Sequence, residues 1–144
     1  MATAASRPVD DFLHAVEHGT INACAAWSAD ALLDATTPGW RFQMRGPAAI
    51  RAEYSHWFAD PARFEALRRI PIPGGEVVQY LLTWTENGVP HAAHHMHVLE
   101  VSDGRIVVDT VMCGGRWPAS LLADMQTSQH ALDARHHETS HVHS

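Results

Sequence analysis

Four of the twelve histidines of this chain lie in one short stretch, HAAHHMHVLEVSDG, which spans residues 91–104. Side chains alternate between the two faces of a strand, so His91, His95 and His97 share one face and His94 lies on the other. The first face continues into apolar residues and the second ends in a charge, so we expect the first to point inward. A buried imidazole can exchange a proton at working pH, as acid–base catalysis requires. The pattern predicts His95 and His97 as neighbouring proton-transfer groups in an apolar cavity.

Two carboxylates are placed to assist these histidines. Asp109 lies on the next predicted strand, RIVVDTVMC, where the same alternation lets it orient or charge-pair a histidine. Asp34 lies in the strand ALLDATT, either in the pocket or facing solvent. The catalytic candidates are therefore His95, His97, Asp109 and Asp34. The alternative is that both histidines are hydrogen-bonded core or interface residues with a structural role.

A metal site at the same strand is a further alternative. His95 and His97 present two nitrogen donors on one face, as in many zinc and iron sites. A third ligand is the weak point, because His91 lies further along the strand and only Asp109 or Asp34 remains to complete the set. We therefore predict no metal and no cofactor, with His95 and His97 as the ligands if a metal binds.

Several other side chains are candidates for contact with a substrate. The aromatic residues either line a pocket or pack in the core. His56 reaches the cavity mouth or lies at the surface, and Cys113 ends a strand beside two glycines without an evident activating partner. These candidates are Trp40, Tyr54, His56, Trp57, Trp84 and Cys113.

Helical periodicity is confined to the first part of the chain. Val9, Phe12, Leu13 and Val16 recur at helical spacing and predict a first helix that stops at Gly19. A second short helix is predicted in INACAAW. A third begins at the proline of GPAAI and ends at the Asp-Pro of FADPA, and its aromatic stripe requires a large packing partner.

The rest of the chain reads as strands followed by a polar tail. Period-2 alternation predicts strands in ALLDATT and WRFQM, and then in FEALRRIPI, EVVQYLLTWT, HAAHHMHVLEV and RIVVDTVMC. Asn-Gly and Asp-Gly dipeptides predict tight hairpins between them. A loop and short helix in GGRWPASLLADM close the domain, so we expect a domain over residues 1–126 and a flexible His-rich C-terminal tail over residues 127–144.

Composition limits the partners. The net charge of −6 and the lack of a basic cluster argue against nucleic acid. No apolar run approaches the roughly 20 residues of a membrane span. The start MATAASRPVDDF lacks a secretory pattern, and the two cysteines are far apart, so we expect a cytoplasmic protein with free thiols. All ten basic residues are arginine, which fits a GC-rich, bacterial genome.

Residues 8–126 resemble the SnoaL-like domains of the nuclear transport factor 2-like superfamily. The resemblance rests on GPAAIRAEY, which is similar to the family's Gly-x-x-x-Ile entry to the third helix, and on SDGRIV, which is similar to its final hairpin turn. It implies an α+β fold, a conical α+β barrel in which three N-terminal helices pack on a curved antiparallel sheet. The superfamily includes ketosteroid isomerases, scytalone dehydratases, polyketide cyclases and epoxide hydrolases beside non-catalytic modules, so the fold does not choose the activity.

The family's site residues carry over in part. Phe12 stands where ketosteroid isomerases have a tyrosine that donates to the oxyanion, Asp34 or its neighbour matches their base, and His97 matches their second acid. The ending CGGRW is similar to the last strand of scytalone dehydratases, which sets His95 against a substrate-contacting asparagine. Val111 stands where SnoaL-like cyclases carry an aspartate. The resemblance thus adds Phe12 and Val111 to the substrate-contact candidates and weakens a steroid isomerase interpretation.

Together these patterns favour a cofactor-independent acid/base enzyme, an isomerase or a lyase of the dehydratase or cyclase type, acting on a hydrophobic ring-bearing small molecule in the biosynthesis of a secondary metabolite. The alternatives are a non-catalytic small-molecule-binding or dimerisation module and a metal-dependent enzyme using His95 and His97. Apolar residues on both faces of the sheet predict a homodimer.

Overall fold

The computed structural model describes residues 7–142, with side chains through residue 136. The first half of the chain contains two α-helices, one turn of 3₁₀ helix and a β-hairpin. In chain order these are α1 (Arg7–His18), the 3₁₀ turn (Ile21–Ala23), β1 (Trp27–Thr37), β2 (Trp40–Arg45) and α2 (Pro47–Trp57).

The second half is a meander of long strands and one long helix. The elements are β3 (Ala62–Ile72), β4 (Gly75–Glu86), β5 (Val89–Ser102), β6 (Arg105–Pro118) and α3 (Ala119–Val142). Asn87 and Asp103 adopt a positive φ of 51° in the two hairpin turns that precede β5 and β6, as the Asn-Gly and Asp-Gly dipeptides predict.

The six strands form one open sheet in the order β2-β1-β6-β5-β4-β3. All neighbours are antiparallel except β1 and β6, which run parallel. The predicted α+β class and antiparallel meander are confirmed. The expected antiparallel sheet departs from this pattern at one pair, because β6, the last strand of the meander, lies beside β1 and runs in the same direction.

Helices α1 and α2 cover one face of the sheet, and their aromatic residues fill the space between. Phe12 of α1 packs against Trp27, Tyr54 and Phe58, with ring centroids 5.7, 5.8 and 6.2 Å away. Each of these side chains is 0–3 % exposed. The apolar residues that recur at helical spacing in the sequence therefore form the buried face of each helix.

Arg69 of β3 ties α1 to the sheet. Its guanidinium donates to both carboxylate oxygens of Glu76 on β4, at 2.9 Å each, and to Asp10 of α1 at 2.6 Å. These contacts raise the pKa of Arg69, with the Glu76 hydrogen bond as the largest cause. Arg69 thus links α1 to strands β3 and β4.

The helices differ from the prediction in position and length. The second predicted helix is only a 3₁₀ turn, and the third α-helix is C-terminal, so the three helices are not all N-terminal. The expected short closing helix is the start of α3, and GGRWP belongs to β6. No Gly or Pro interrupts residues 119–142, so nothing stops the helix at residue 126.

Helix α3 therefore continues through the segment for which the sequence predicts a tail. Its described side chains beyond the first turns are exposed, including Met125 at 43 % and Leu132 at 51 %. None of the helices within residues 7–142 is long and apolar enough to cross a membrane.

Candidate active site

Strand β5 carries the histidines through the centre of the sheet, with β4 on one side and β6 on the other. Its side chains alternate as the sequence predicts: His95 and His97 are 4 % and 0 % exposed, whereas His94 and Met96 lie on the outer face. His95 lies opposite Cys113 of β6. Between this pair and the pair Ala93–Arg116, a bulge at the two glycines of β6 shifts the register by one residue. The two imidazoles thus lie under α1 and α2.

His97 is joined to Asp109 in the core. Nδ1 of His97 lies 2.9 Å from Oδ1 of Asp109, and the Tyr54 hydroxyl donates to Oδ2 of the same carboxylate at 2.8 Å. All three side chains are fully buried. Both carboxylate oxygens therefore have a partner, which is what a buried carboxylate requires.

Tyr80 of β4 connects the two histidines. Its hydroxyl lies 2.8 Å from Nε2 of His97 and 3.0 Å from Nδ1 of His95, and the side chain is 1 % exposed. Tyr54, Asp109, His97, Tyr80 and His95 therefore form one continuous chain of hydrogen bonds. Side chains from α2, β6, β5 and β4 meet in it.

The chemistry of these groups fixes the direction of the hydrogen bonds. A carboxylate only accepts, so His97 donates from Nδ1–H to Asp109. In neutral His97, Nε2 then accepts the Tyr80 hydroxyl proton. Because Tyr80 has one proton to give, its oxygen must accept from Nδ1–H of His95. This assignment leaves the lone pair of His95 on Nε2.

Aromatic rings enclose both histidines. The ring centroids of Phe12 and Tyr54 lie 5.1 and 6.2 Å from that of His97, and those of Trp57 and Phe58 lie 5.5 and 5.7 Å from that of His95. These rings leave His95 and His97 only 4 % and 0 % exposed, so charge on either imidazole is costly unless it is paired.

This environment sets the protonation of the site. Burial, with a smaller effect of His97 and His94, lowers the pKa of His95 to about 3. Burial and the Asp109 carboxylate raise the pKa of Tyr54 and of Tyr80 well above 10.0. At neutral pH His95 is therefore a neutral imidazole and both phenols keep their protons.

His95 also lies in the wall of a cavity of about 580 Å³. The cavity opens beside the end of α2, and its apolar surface comes from Trp57, Leu82, Trp84, Ala93 and Cys113. Its polar lining groups are Thr37, Glu53, His56 and Arg116. His97 and Asp109 do not line it; they lie behind His95, one layer deeper.

Trp84 is held in place at the cavity wall by charged and aromatic neighbours. The Arg116 guanidinium lies 5.2 Å from its ring centroid, and the His91 ring stacks on it at 5.8 Å. Arg116 is in turn ion-paired with Glu86. On the helix side, Nε1 of Trp57 donates to Glu53 at 3.4 Å. These contacts fix the orientation of both indole rings.

Besides His97 and Asp109, five predicted residues lie away from the cavity. Asp34 points to the outer face, where it pairs with Arg41 at 2.6 Å, because the neighbouring β1 residues face the core. The hydrogen bond from Arg41 lowers the pKa of Asp34. Trp40 is 70 % exposed, and Phe12 and Val111 are core residues with 0 % exposure. Tyr54 reaches Asp109 from the core and not the cavity.

Tyr80 is the buried residue of the site that the sequence analysis missed, and Glu53 and Arg116 are cavity-lining residues that it also missed. Tyr80 shares the inward face of β4 with Val78 and Leu82, which are 0 % and 2 % exposed. The alternation of EVVQYLLTWT predicts that face, and the pairing of β4 with β5 sets Tyr80 opposite His95. A polar atom on an otherwise apolar strand face was the available signal.

The metal alternative finds no support in the geometry. Both ring nitrogens of His97 are already engaged, and the centroids of the two imidazoles are 6.2 Å apart. Within the described part of the chain, no three His, Cys, Asp or Glu side chains converge as a metal site.

Comparison with known proteins gives the following similarities. Residues 9–108 match the model of the SnoaL-like domain family. A proposed isomerase from Bacillus subtilis has a similar structure, with 18 % identity, a TM-score of 0.64, and 77 % of this chain and 86 % of that chain covered. No curated protein sequence matches the chain.

Two further solved structures share the fold. One is an LEH-like epoxide hydrolase from M. tuberculosis, at 21 % identity and a TM-score of 0.56, covering 76 % of this chain and 82 % of that chain. The other is a proposed polyketide cyclase from Xanthomonas campestris, at 18 % identity and a TM-score of 0.59, covering 76 % of this chain and 92 % of that chain. At these identities the likeness concerns the fold alone.

Proposed function

Since this chain belongs to the SnoaL-like domain family, we propose that it is a cofactor-independent acid/base enzyme, an isomerase, dehydratase or cyclase, in which His95 exchanges a proton with a ring-bearing small molecule. The observation that carries the proposal is the position of His95: it lies in the cavity wall, and its Nδ1 is bound to the buried chain through Tyr80. We further propose that the protein acts in the biosynthesis of a secondary metabolite, in the cytoplasm of a bacterium.

The neutral state of His95 leaves it able to accept a proton. An imidazole with a pKa of about 3 is neutral at working pH, so Nε2 keeps a free lone pair. A general base must meet its substrate unprotonated and correctly oriented. Tyr80 supplies the orientation by holding Nδ1, which turns Nε2 away from the buried chain.

The cavity supports an apolar substrate with at least one ring. About 580 Å³ lies within the range of small-molecule sites. Trp57 and Trp84 offer aromatic surfaces, and the polar groups Glu53, His56 and Arg116 lie along the same cavity to contact an oxygen of the substrate. A mainly apolar wall with a few polar groups orients such a molecule against His95.

A non-catalytic binding module is the second candidate, and a specific observation favours it. Trp27 and Tyr54 fill the inner part of the cone together with Phe12, so His97 is closed off from any ligand. The space that remains would hold a ligand equally well without chemistry.

We also propose a homodimer formed through the outer face of the sheet. Met96 and Met112 are directly paired on β5 and β6 and are 43 % and 54 % exposed. Two adjacent exposed methionines in the middle of a sheet form an apolar patch that a second copy can cover.

Turnover of a substrate panel tests the enzymatic proposal. The panel contains ring-bearing unsaturated ketones, hydroxy ketones that can lose water, and epoxides, with binding followed by tryptophan fluorescence. For any substrate found, His95→Gln should lower kcat/KM by about 10²–10⁴-fold. His94→Gln, on the same strand but the opposite face, should leave it unchanged.

The outcomes separate the two candidates. Unchanged turnover in His95→Gln would exclude His95 as the proton-transfer group. Binding of panel members by the wild type without conversion of any of them would favour the binding module.

A further inference from the structure

We propose that Tyr80 joins His95 and His97 into one proton-accepting unit, in which a proton that enters at Nε2 of His95 leaves the positive charge on His97, beside Asp109. This inference rests on the proposed function, since it specifies where the proton taken up by His95 goes. It assigns to Tyr80 the role of a positioning residue that also transmits the proton.

His95 is a poor place for the charge itself. Its described neighbours are the rings of Trp57, Phe58 and Tyr80 and the imidazole of His97, with no carboxylate in contact. Removal from water disfavours an imidazolium in such surroundings, which is why its pKa is low. A base that keeps the proton at this position would be weak.

His97 is a better place for the charge. Its Nδ1 is 2.9 Å from the Asp109 carboxylate, which makes a buried ion pair when His97 is protonated. The attraction between opposite charges at this distance is strong because little water screens it. The Tyr54 hydroxyl holds the other carboxylate oxygen at 2.8 Å and keeps the carboxylate in place.

The transfer conserves every proton. The substrate proton bonds to Nε2 of His95 while its bonding electron pair stays on the substrate. The Nδ1–H bond of His95 breaks and that proton bonds to the Tyr80 oxygen, whose own O–H proton bonds to Nε2 of His97. His95 ends neutral with its proton on Nε2, Tyr80 ends as a neutral phenol, and His97 ends as the cation.

Several elements pack against this unit and present side chains to it. Helix α1 presents the uncharged ring of Phe12 to His97. The titratable or charged groups on this side of the sheet are Tyr54, Glu53 and His56 from α2, Tyr80 from β4, and Asp109, Cys113 and Arg116 from β6. His94 of β5 lies on the outer face and has a minor effect on the pKa of His95. Asp109 is the carboxylate in direct contact with an imidazole of the unit, so it determines where the charge rests.

The test needs no substrate. Protein labelled with ¹⁵N at its histidines is titrated by NMR, and the imidazole signals report which nitrogens carry protons. In the wild type, His97 should become doubly protonated in the same step in which the proton of His95 moves from Nδ1 to Nε2. In Tyr80→Phe the bridge is gone, so His95 should keep its tautomer through that step.

Tyr54→Phe is the matched control, because it removes a buried hydroxyl beside Asp109 but leaves the bridge. It should retain the linked change. The proposal is overturned if wild-type His95 keeps one tautomer or gains a second proton, if Tyr80→Phe behaves as the wild type does, or if the protein unfolds before His97 gains a proton. Should Tyr80→Phe not fold, the wild-type titration alone decides.

The two proposals fail separately. A linked tautomer change without turnover of any substrate would overturn the proposed function and leave the proton-accepting unit intact. Turnover that depends on His95 without the linked change would do the reverse.

Discussion

Nδ1 of His97 lies 2.9 Å from Oδ1 of Asp109, and neither side chain has any contact with solvent. Asp109→Ala removes the acceptor of His97 and of the Tyr54 hydroxyl at once, and buried donors without partners are costly. We expect the free energy of unfolding to fall by about 3–5 kcal/mol in urea denaturation. Asp34→Ala is the control, and its loss should be much smaller because the partner of Asp34, Arg41, is an exposed side chain at the surface. Equal losses would mean that the buried contact contributes nothing special.

The low pKa of His95 predicts a pH-dependent stability. In the folded chain the pKa of His95 is about 3, below the ordinary histidine pKa of 6.5, so the unfolded chain binds the proton first as the pH falls. The free energy of unfolding should therefore decrease from pH 6.5 downward, with a contribution from His95 of up to about 1.4 kcal/mol per pH unit. His95→Gln should reduce this slope in denaturation curves at pH 7 and pH 5, and His94→Gln should not. A slope unchanged by His95→Gln would show that His95 is protonated in the fold.

The ion pairs of Arg69 predict a local effect on the first helix. Arg69→Met removes the partner of Glu76, whose side chain is 8 % exposed, and of Asp10 on α1. We expect a loss of about 1–2 kcal/mol and faster amide hydrogen exchange in α1. Arg68→Met, at the adjacent exposed position, should change neither. Faster exchange spread evenly over all helices would contradict a specific attachment of α1.

A larger side chain in the cavity wall should block ligand binding without disturbing the hydrogen-bond chain. Cys113 lines the cavity and is only half-buried, so Cys113→Leu should occupy part of the volume with little effect on folding. Stabilisation by a ring-bearing ligand in thermal denaturation should decrease, corresponding to an affinity at least about tenfold weaker. Met112→Leu changes the neighbouring residue on the outer face and should bind as the wild type does. Undiminished binding in Cys113→Leu would place the ligand elsewhere.

The methionine pair on the outer face predicts the oligomeric state. Light scattering should give a dimer at micromolar concentration for the wild type and a monomer for Met96→Glu or Met112→Glu, because a buried unpaired charge opposes association. Ser102→Glu, at the exposed end of the same strand, should remain dimeric. A monomeric wild type would refute the proposed interface.

Features set by neighbouring residues along the chain could be predicted from the sequence. The period of α1, the proline start of α2, the two dipeptide turns and the inward parity of His95 and His97 each depend on a few consecutive positions. The inward parity follows from side-chain alternation, which holds wherever a strand has one buried face.

Features set by long-range pairing could not be predicted in the same way. The face of Asp34 depends on how β1 lies beside β6, and the contact of Tyr80 with both histidines depends on the register of β4. The continuation of α3 was missed for another reason: a segment with little to bury was read as unstructured, although its residues favour a helix.

The hydrogen-bond chain ends at Tyr54, which is fully buried and donates to Asp109. Among the residues with described side chains, 7–136, His95 is the member of this chain that lines the cavity, so a proton that enters there returns through His95. A proton route with one opening suits reactions in which the same proton returns to the substrate, or is transferred to its leaving group. Turnover in heavy water should then yield a product that keeps the original hydrogen and contains little deuterium at that position.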